Sequence, residues 1–346
     1  MMDLRVDRRG GYKYYHTLMN LIGDCDPAYP ALRYVADRFE LNREQRYWLA
    51  WLYSLSYCAP TAFYMLNEFP DYENVHVHRL GDWWAKSKKR CLFQTDRAKV
   101  KNFDKIVPMF ESYRDLVGGS QEAAYKEPSS PDPHEYYDRL FRHFGKLYYF
   151  GRFSLFLLLE AVHEMTRLPI QPSGLDLRDA LSCRNGLCYA VGKNEWVQKK
   201  NAPRLLDLDK LTSDLASILT ELRQEYPQIK HTYWNVETSL CSYKKLFWET
   251  RYLGYYIDRQ LAELHWMNKA VREGVDWSVL WSFRREHFAP FLLGEVGGWR
   301  GPRPERLKIV TRTGLPWELN LPLRRYTNEI RFRGEGHFYD PDWRSS

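Results

Sequence analysis

The spacing of apolar residues is what most constrains this chain. Between Asp207 and Tyr226, Leu208, Leu211, Leu215, Ile218, Leu219 and Leu222 recur at three- and four-residue steps. That spacing puts them on one face of an amphipathic helix, with a charged face toward water. Asn42 followed by Gln45 reads as a capping box, opening a helix through Tyr47, Leu49, Trp51, Leu52 and Leu55 that meets no breaker before Pro60. The same reading predicts helices over 76–89, 135–145, 147–166, 234–249 and 251–273, so the expected fold class is mainly α. The longest apolar run, Phe153 to Leu159, is far short of the ~20 residues that span a bilayer. The N-terminus MMDLRVDRRGG carries charges where a signal peptide needs an apolar stretch. The expectation is a soluble, intracellular protein.

A chain of 346 residues predicts roughly two domains or one large one. Composition breaks at GGSQEAAYKEPSSPDPH, residues 118–134, which divides an N-terminal helical part, 1–117, from a second helical part, 135–295; the same stretch also fits a long surface loop inside one domain. Residues 296–346 turn Arg-, Pro- and Gly-rich, an irregular basic extension whose short alternating stretches suit a β-hairpin or a strap around the helical body. Aromatic residues make up 16% of the chain, too many for a disordered polymer. The six cysteines form no C-x-x-C pair, and Cys183 with Cys188 has no second pair behind it, so reduced thiols are expected rather than zinc.

Four stretches could carry chemistry. Residues 86–105 hold eight Lys or Arg, among them Arg97, Lys99 and Lys101, against Asp96 and Asp104. Trp83, Trp84, Phe93 and Phe103 interleave with them, a pattern suited to phosphates and bases as well as to ordinary solvated surface. In LYYFGRFSLFLLLEAVHEM, residues 147–165, a helix would place Tyr148, Arg152 and Glu160 on one face beside His163, as a structural ion pair or as an anion-binding arginine. In residues 173–193, Arg184-Asn185-Gly186 reads as a turn into a second helical segment whose first amides could bind an anion. Asp176 and Asp179 there read first as helix-start caps. In residues 234–260, Glu237, Cys241 and Lys245 are spaced by four, with Lys244 alongside, amid more tyrosines than core packing explains.

The segments LNREQRYWLAWLYSLSYCAPTAFYMLNEFP, FQTDRAKVKNFDK, YYFGRFSLFLLLEAVHEM, LDLRDALSCRNGLCYAVGKNEW and ETSLCSYKKLF…RYLGYYIDRQ together resemble the bacteriophage amino acid:DNA transferases, also called alpha-glutamyl/putrescinyl thymine pyrophosphorylases, over about residues 10–270. The resemblance implies thymine hypermodification in the host cytoplasm. A separate kinase diphosphorylates 5-hydroxymethyluracil in double-stranded phage DNA, and the transferase displaces pyrophosphate with the amino group of a free amino acid or polyamine. It also implies a helical body similar to DNA glycosylases.

Such chemistry needs a flipped base held by stacking, cations or a divalent metal for the leaving pyrophosphate, and a carboxylate to take the amine's proton. The expected roles follow. Arg97, Lys99 and Lys101 meet the DNA backbone or the pyrophosphate. Arg152 and Arg184 are pocket cations, with Lys244 and Lys245 as alternates. Asp176 or Glu237 is the general base, and Tyr148 and Tyr149 stack on the base. Cys183 or Cys241 could add to the uracil ring, although a buried cysteine is more often inert. Two other readings compete: a glycosylase acting on a flipped modified base, and a non-catalytic DNA-binding phage protein.

Overall fold

A computed structural model of the protein describes residues 5–94, 100, 105–198, 206–248, 251 and 253–288. They form fourteen α-helices and no strand: α1 (Arg8–Leu21), α2 (Ala28–Arg38), α3 (Arg43–Ser56), α4 (Ala59–Glu68), α5 (Val77–Ser87), α6 (Ile106–Val117), α7 (Gln121–Lys126), α8 (Pro133–Phe144), α9 (Arg152–Thr166), α10 (Leu181–Ala190), α11 (Leu208–Glu225), α12 (Tyr233–Phe247), α13 (Tyr255–Ala270) and α14 (Ser278–His287). The mainly α expectation holds. The hairpin envisaged for 296–346 lies outside the described residues.

The chain divides into two compact units, one of residues 1–27, 174–262 and 285–346, the other of 28–173 and 263–284. Residues 118–134 lie within the second unit and contain α7, whose first amides are taken by the Ser120 hydroxyl and the Glu44 carboxylate.

In the second unit, α3 begins at the expected capping box: Gln45 N–H donates to Asn42 Oδ1 at 2.9 Å, and Asn42 N–H to Gln45 Oε1 at 3.0 Å. It is buried on every side from Tyr47 to Tyr53 and packs along α9, whose residues 155–162 are also all buried. Trp48 stacks on Trp51, and Trp51 on Tyr113, with ring centroids 4.9 and 5.1 Å apart. Much of the aromatic content is therefore core, each large side chain contributing about 1.5–3 kcal/mol by leaving water.

In the first unit one tyrosine of the 234–260 stretch, Tyr243, donates its hydroxyl to Arg8 O at 3.1 Å. Small serines on α12 receive the hydroxyls of α1: Tyr12 pairs with Ser239 Oγ at 3.0 Å and Tyr15 with Ser242 Oγ at 2.7 Å. Asp207 caps α11 by accepting from Lys210 N–H at 2.9 Å. Arg9 and Lys13 of α1 then bind Glu221 of α11, holding that carboxyl down at about 2. Asp24, fully buried, accepts from the amides of Gly254, Tyr256 and Ile257 at 2.8, 2.8 and 3.0 Å, and so caps the start of α13.

Two expectations are corrected. Arg184-Asn185-Gly186 is no turn but the middle of α10, so it presents no helix-start amides to an anion. Gly186 is needed because α10 crosses α12 there: a Cβ on it would lie 2.1 Å from the Leu240 carbonyl oxygen. Residues 147–151 are not helical, because α9 starts at Arg152 after Gly151. Tyr148 therefore does not share a helical face with Arg152 and Glu160.

Gly186→Ala should force the α10–α12 crossing apart and lower stability by about 1–3 kcal/mol in urea unfolding; an unchanged midpoint would show that the crossing can relax. A second expectation concerns acid. His16 is fully buried, bonded through Nδ1 to Ser239 Oγ at 2.8 Å and through Nε2 to His231 Nδ1 at 3.1 Å. Burial and the neighbouring His231 pull its pKa from 6.5 down to about 3. The stability of the neutral pair is complete above pH 6.5 and is lost as pH falls toward 3, at up to about 1.4 kcal/mol per pH unit for this group. Urea midpoints at pH 7 and pH 5 should differ, and His16→Gln should shrink the difference. An equal pH response in both proteins would contradict the assignment.

Candidate active site

The close crossing of α10 and α12 lines up a row of reactive side chains in the first unit. Glu237, Cys241, Lys244 and the C-cap residue Trp248 follow one another along α12 at four-, three- and four-residue steps, hence on one face, with Lys245 four residues after Cys241 at its edge. Cys241 Sγ donates to Glu237 Oε1 at 3.2 Å. Lys244 Nζ donates to Ser182 Oγ at the start of α10, at 2.7 Å, and lies 4.3 Å from the centre of the Trp248 ring. Lys244 is buried, whereas Trp248 is 41% exposed, so the row leads from the interior to a half-open indole. Lys245 and Glu237 are half-buried.

Next to this row lies a second polar group. Thr238 on α12 donates its hydroxyl to Asp26 Oδ2; Asp26 is buried and has a left-handed backbone, φ 47°. Burial holds the Tyr256 hydroxyl well above its ordinary pKa; Arg251 opposes that shift, and the charge of Asp26 reinforces it. The Arg251 guanidinium lies 3.5 Å from the centre of the Tyr255 ring. Burial, together with the Glu237 carboxylate, pushes the Cys241 thiol up. Cys183 is buried with Sγ donating to Ala180 O at 3.3 Å. The Cys241 thiol is therefore held in its protonated form rather than as an activated nucleophile, and Cys183 is a packed thiol.

The sequence-predicted residues separate. Glu237, Lys244 and Lys245 come together. Arg184 is buried nearby but is spent on the chain: Nη1 donates to the carbonyls of Leu177 and Arg178 at 2.9 and 2.6 Å, and Nη2 to Gln198 Oε1, leaving only Nε without a partner among the described residues. Its neighbour Asn185 grips the Gln198 backbone from both sides, at 3.0 and 3.1 Å. Asp176 is exposed and accepts from Asp179 N–H at 3.2 Å, but it closes a turn rather than capping a helix start, since α10 begins at Leu181 after Ala180. Asp26, Arg251 and Ser182 were not anticipated. Nothing local in Asp24-Cys25-Asp26-Pro27 signals burial, since the partners lie more than two hundred residues away.

In the second unit, Arg152 opens α9 and is half-buried rather than buried; its charge and that of buried Glu160 both act on the Tyr137 hydroxyl. Tyr148 and Tyr149 stand 40% and 38% exposed on the turn before α9, with ring centroids 4.6 Å apart. Arg97, Lys99 and Lys101 lie outside the described residues. Among the described residues no group of three or more His, Cys, Asp or Glu is arranged to hold a metal ion, and no helix is long and apolar enough to cross a membrane.

A family model described as amino acid:DNA transferase matches residues 20–252, which include α12 and the turn before α9. No curated protein and no solved structure matches the chain. With more than half of its length matched by that model, the chain belongs to the amino acid:DNA transferase family.

Proposed function

We propose that this transferase replaces the pyrophosphate of a 5-(pyrophosphoryloxymethyl)uracil in double-stranded DNA with the amino group of an amino acid or polyamine. Within the matched span, the observation that carries this reading is the row on α12, where a carboxylate, two ammonium groups and a half-open indole share one helix face. In the reaction a carbon–nitrogen bond forms at the base's exocyclic methylene carbon as the carbon–oxygen bond to pyrophosphate breaks, and the oxygen leaves with the electron pair. The amine must be neutral to attack and must give up a proton afterwards.

Glu237 is the preferred base, half-buried beside Cys241, with exposed Asp176 as the alternative. Lys244 and Lys245 stabilise the charge that gathers on the departing pyrophosphate, and Lys244 is already oriented by Ser182. Arg184 acts by position: its bonds to the 177–178 carbonyls and to Gln198 fix the segment before α10, and with it Ser182. In the second unit, Arg152, Tyr148 and Tyr149 form a DNA-facing surface. Arg97, Lys99 and Lys101 hold the phosphate backbone by charge.

Duplex DNA carrying the pyrophosphorylated base, incubated with a panel of amines, should release pyrophosphate and yield an amine-bearing nucleoside by mass spectrometry. No adduct and no pyrophosphate with any amine would overturn the proposal, and abasic sites would replace it with base excision. Glu237→Gln should lower turnover by about 10²–10⁴-fold with the fold intact, while Asp176→Asn leaves it nearly unchanged; the reverse result would move the base to Asp176. Lys99→Ala and Lys101→Ala should each reduce the salt slope of DNA binding by about one, and an unchanged slope would return the segment to ordinary surface.

A further inference from the structure

Glu237 and Lys244 stand seven residues apart on α12, about 10 Å along the helix axis, yet one run of hydrogen bonds joins them. Lys244 Nζ donates to Ser182 Oγ at 2.7 Å, the Ser182 hydroxyl donates in turn to the Cys241 sulfur, and Cys241 Sγ donates to Glu237 Oε1 at 3.2 Å. Every bond in the run points the same way, from the ammonium group to the carboxylate. Its two middle members suit a carrier of protons, because a hydroxyl and a thiol each donate one proton while accepting another. Burial and the Glu237 carboxylate keep the Cys241 thiol protonated, so the middle of the run is neutral. Ser182 is half-buried in the first turn of α10, where the crossing of Gly186 over Leu240 holds it against α12. Lys244 is 5% exposed, so bulk water has little access to its side chain.

A displacement at carbon needs two separate groups of this kind. The attacking nitrogen and the departing oxygen lie on opposite faces of the methylene carbon, so the group that takes the amine's proton is not the one that meets the pyrophosphate. We propose that Ser182 and Cys241 form a proton relay that carries the amine's proton from Glu237 to Lys244, replacing the one that Lys244 gives to the departing pyrophosphate. The relay rests on the proposed reaction and adds to it a route between its two ends. The neutral amine forms the carbon–nitrogen bond with its electron pair, the carbon–oxygen pair leaves with the pyrophosphate oxygen, and the alkylated nitrogen gives one proton to Glu237. Lys244 gives one proton to the pyrophosphate oxygen and keeps a lone pair. Three transfers then reset the row: Glu237 O–H to Cys241 Sγ, Cys241 S–H to Ser182 Oγ, and Ser182 O–H to Lys244 Nζ. The net change is one proton moved from the amine to pyrophosphate. Glu237 is again a carboxylate, Lys244 again an ammonium group, and the hydrogen bonds point as they did at the start. Cys241 acts as a carrier in this scheme and forms no bond to the uracil ring.

The test measures steady-state pyrophosphate release from the pyrophosphorylated duplex with wild type, Cys241→Ala, Cys241→Ser and Ser182→Ala, each checked for an intact fold by circular dichroism. Cys241→Ala removes the middle of the run while Glu237, Ser182 and Lys244 stay, so kcat should fall about 10²-fold with KM unchanged. Cys241→Ser keeps a donor and an acceptor at the same place, and should stay within about threefold of wild type. Ser182→Ala should fall at least as far as Cys241→Ala, since it also removes the oxygen that orients Lys244. Added imidazole, a diffusible proton carrier, should restore part of the Cys241→Ala rate and leave wild type unchanged. A near-wild-type rate in either alanine variant would overturn the relay. So would an equal fall in Cys241→Ala and Cys241→Ser, which would point to the thiol itself as a nucleophile. A Cys241→Ala loss that imidazole does not relieve would assign the effect to packing and overturn the relay as well. Absence of turnover by wild type would overturn the proposed reaction, and the relay with it.

Discussion

The first unit is organised around the contact between Gly186 of α10 and the Leu240 carbonyl of α12. No other side chain fits that gap. The crossing brings Ser182 within 2.7 Å of Lys244 and leaves the other flank of α12 to α1, where Ser239 and Ser242 receive tyrosine hydroxyls. A helix carrying Glu237, Cys241, Lys244 and Lys245 in isolation would be an ordinary charged surface. Packed on both flanks, it keeps Lys244 buried and oriented, and desolvated charge is what an electrostatic active centre requires.

The second unit spends its aromatic residues differently. Trp48, Trp51 and Tyr113 stack in a fully buried core, and Trp48 Nε1 still finds an acceptor in Phe69 O at 2.7 Å. Against that rigid background the turn at Tyr148–Tyr149 can hold an unfavourable backbone angle, because Leu147, Phe150 and Ser112 fix it from three sides. Strain persists where the surroundings over-determine it, and such places are candidates for function.

Features governed by neighbours in sequence were legible in advance: the capping box at Asn42 and Gln45 and the apolar face of α11. The family was legible from segment wording. Asn185-Gly186 was misread because a glycine needed for a turn and one needed for a helix crossing look alike until Leu240, 54 residues on, is placed against it. The start of α9 was placed too early because an apolar run says nothing of where Gly151 ends it. Asp26 and Arg251 were invisible for the same reason in stronger form, since only tertiary packing buries them. At the site itself, Glu237 and Lys244 were legible from helical spacing, while the commitment of Arg184 to backbone carbonyls was not.

The central claim is that the reacting base meets the exposed end of the α12 row. Photocrosslinking with a duplex that carries 5-iodouracil at the target position, followed by peptide mapping, tests this directly. The account predicts an adduct within residues 233–248, with Trp248 the favoured acceptor because its indole is half-open beside Lys244. Efficient crosslinking that maps entirely elsewhere would contradict it.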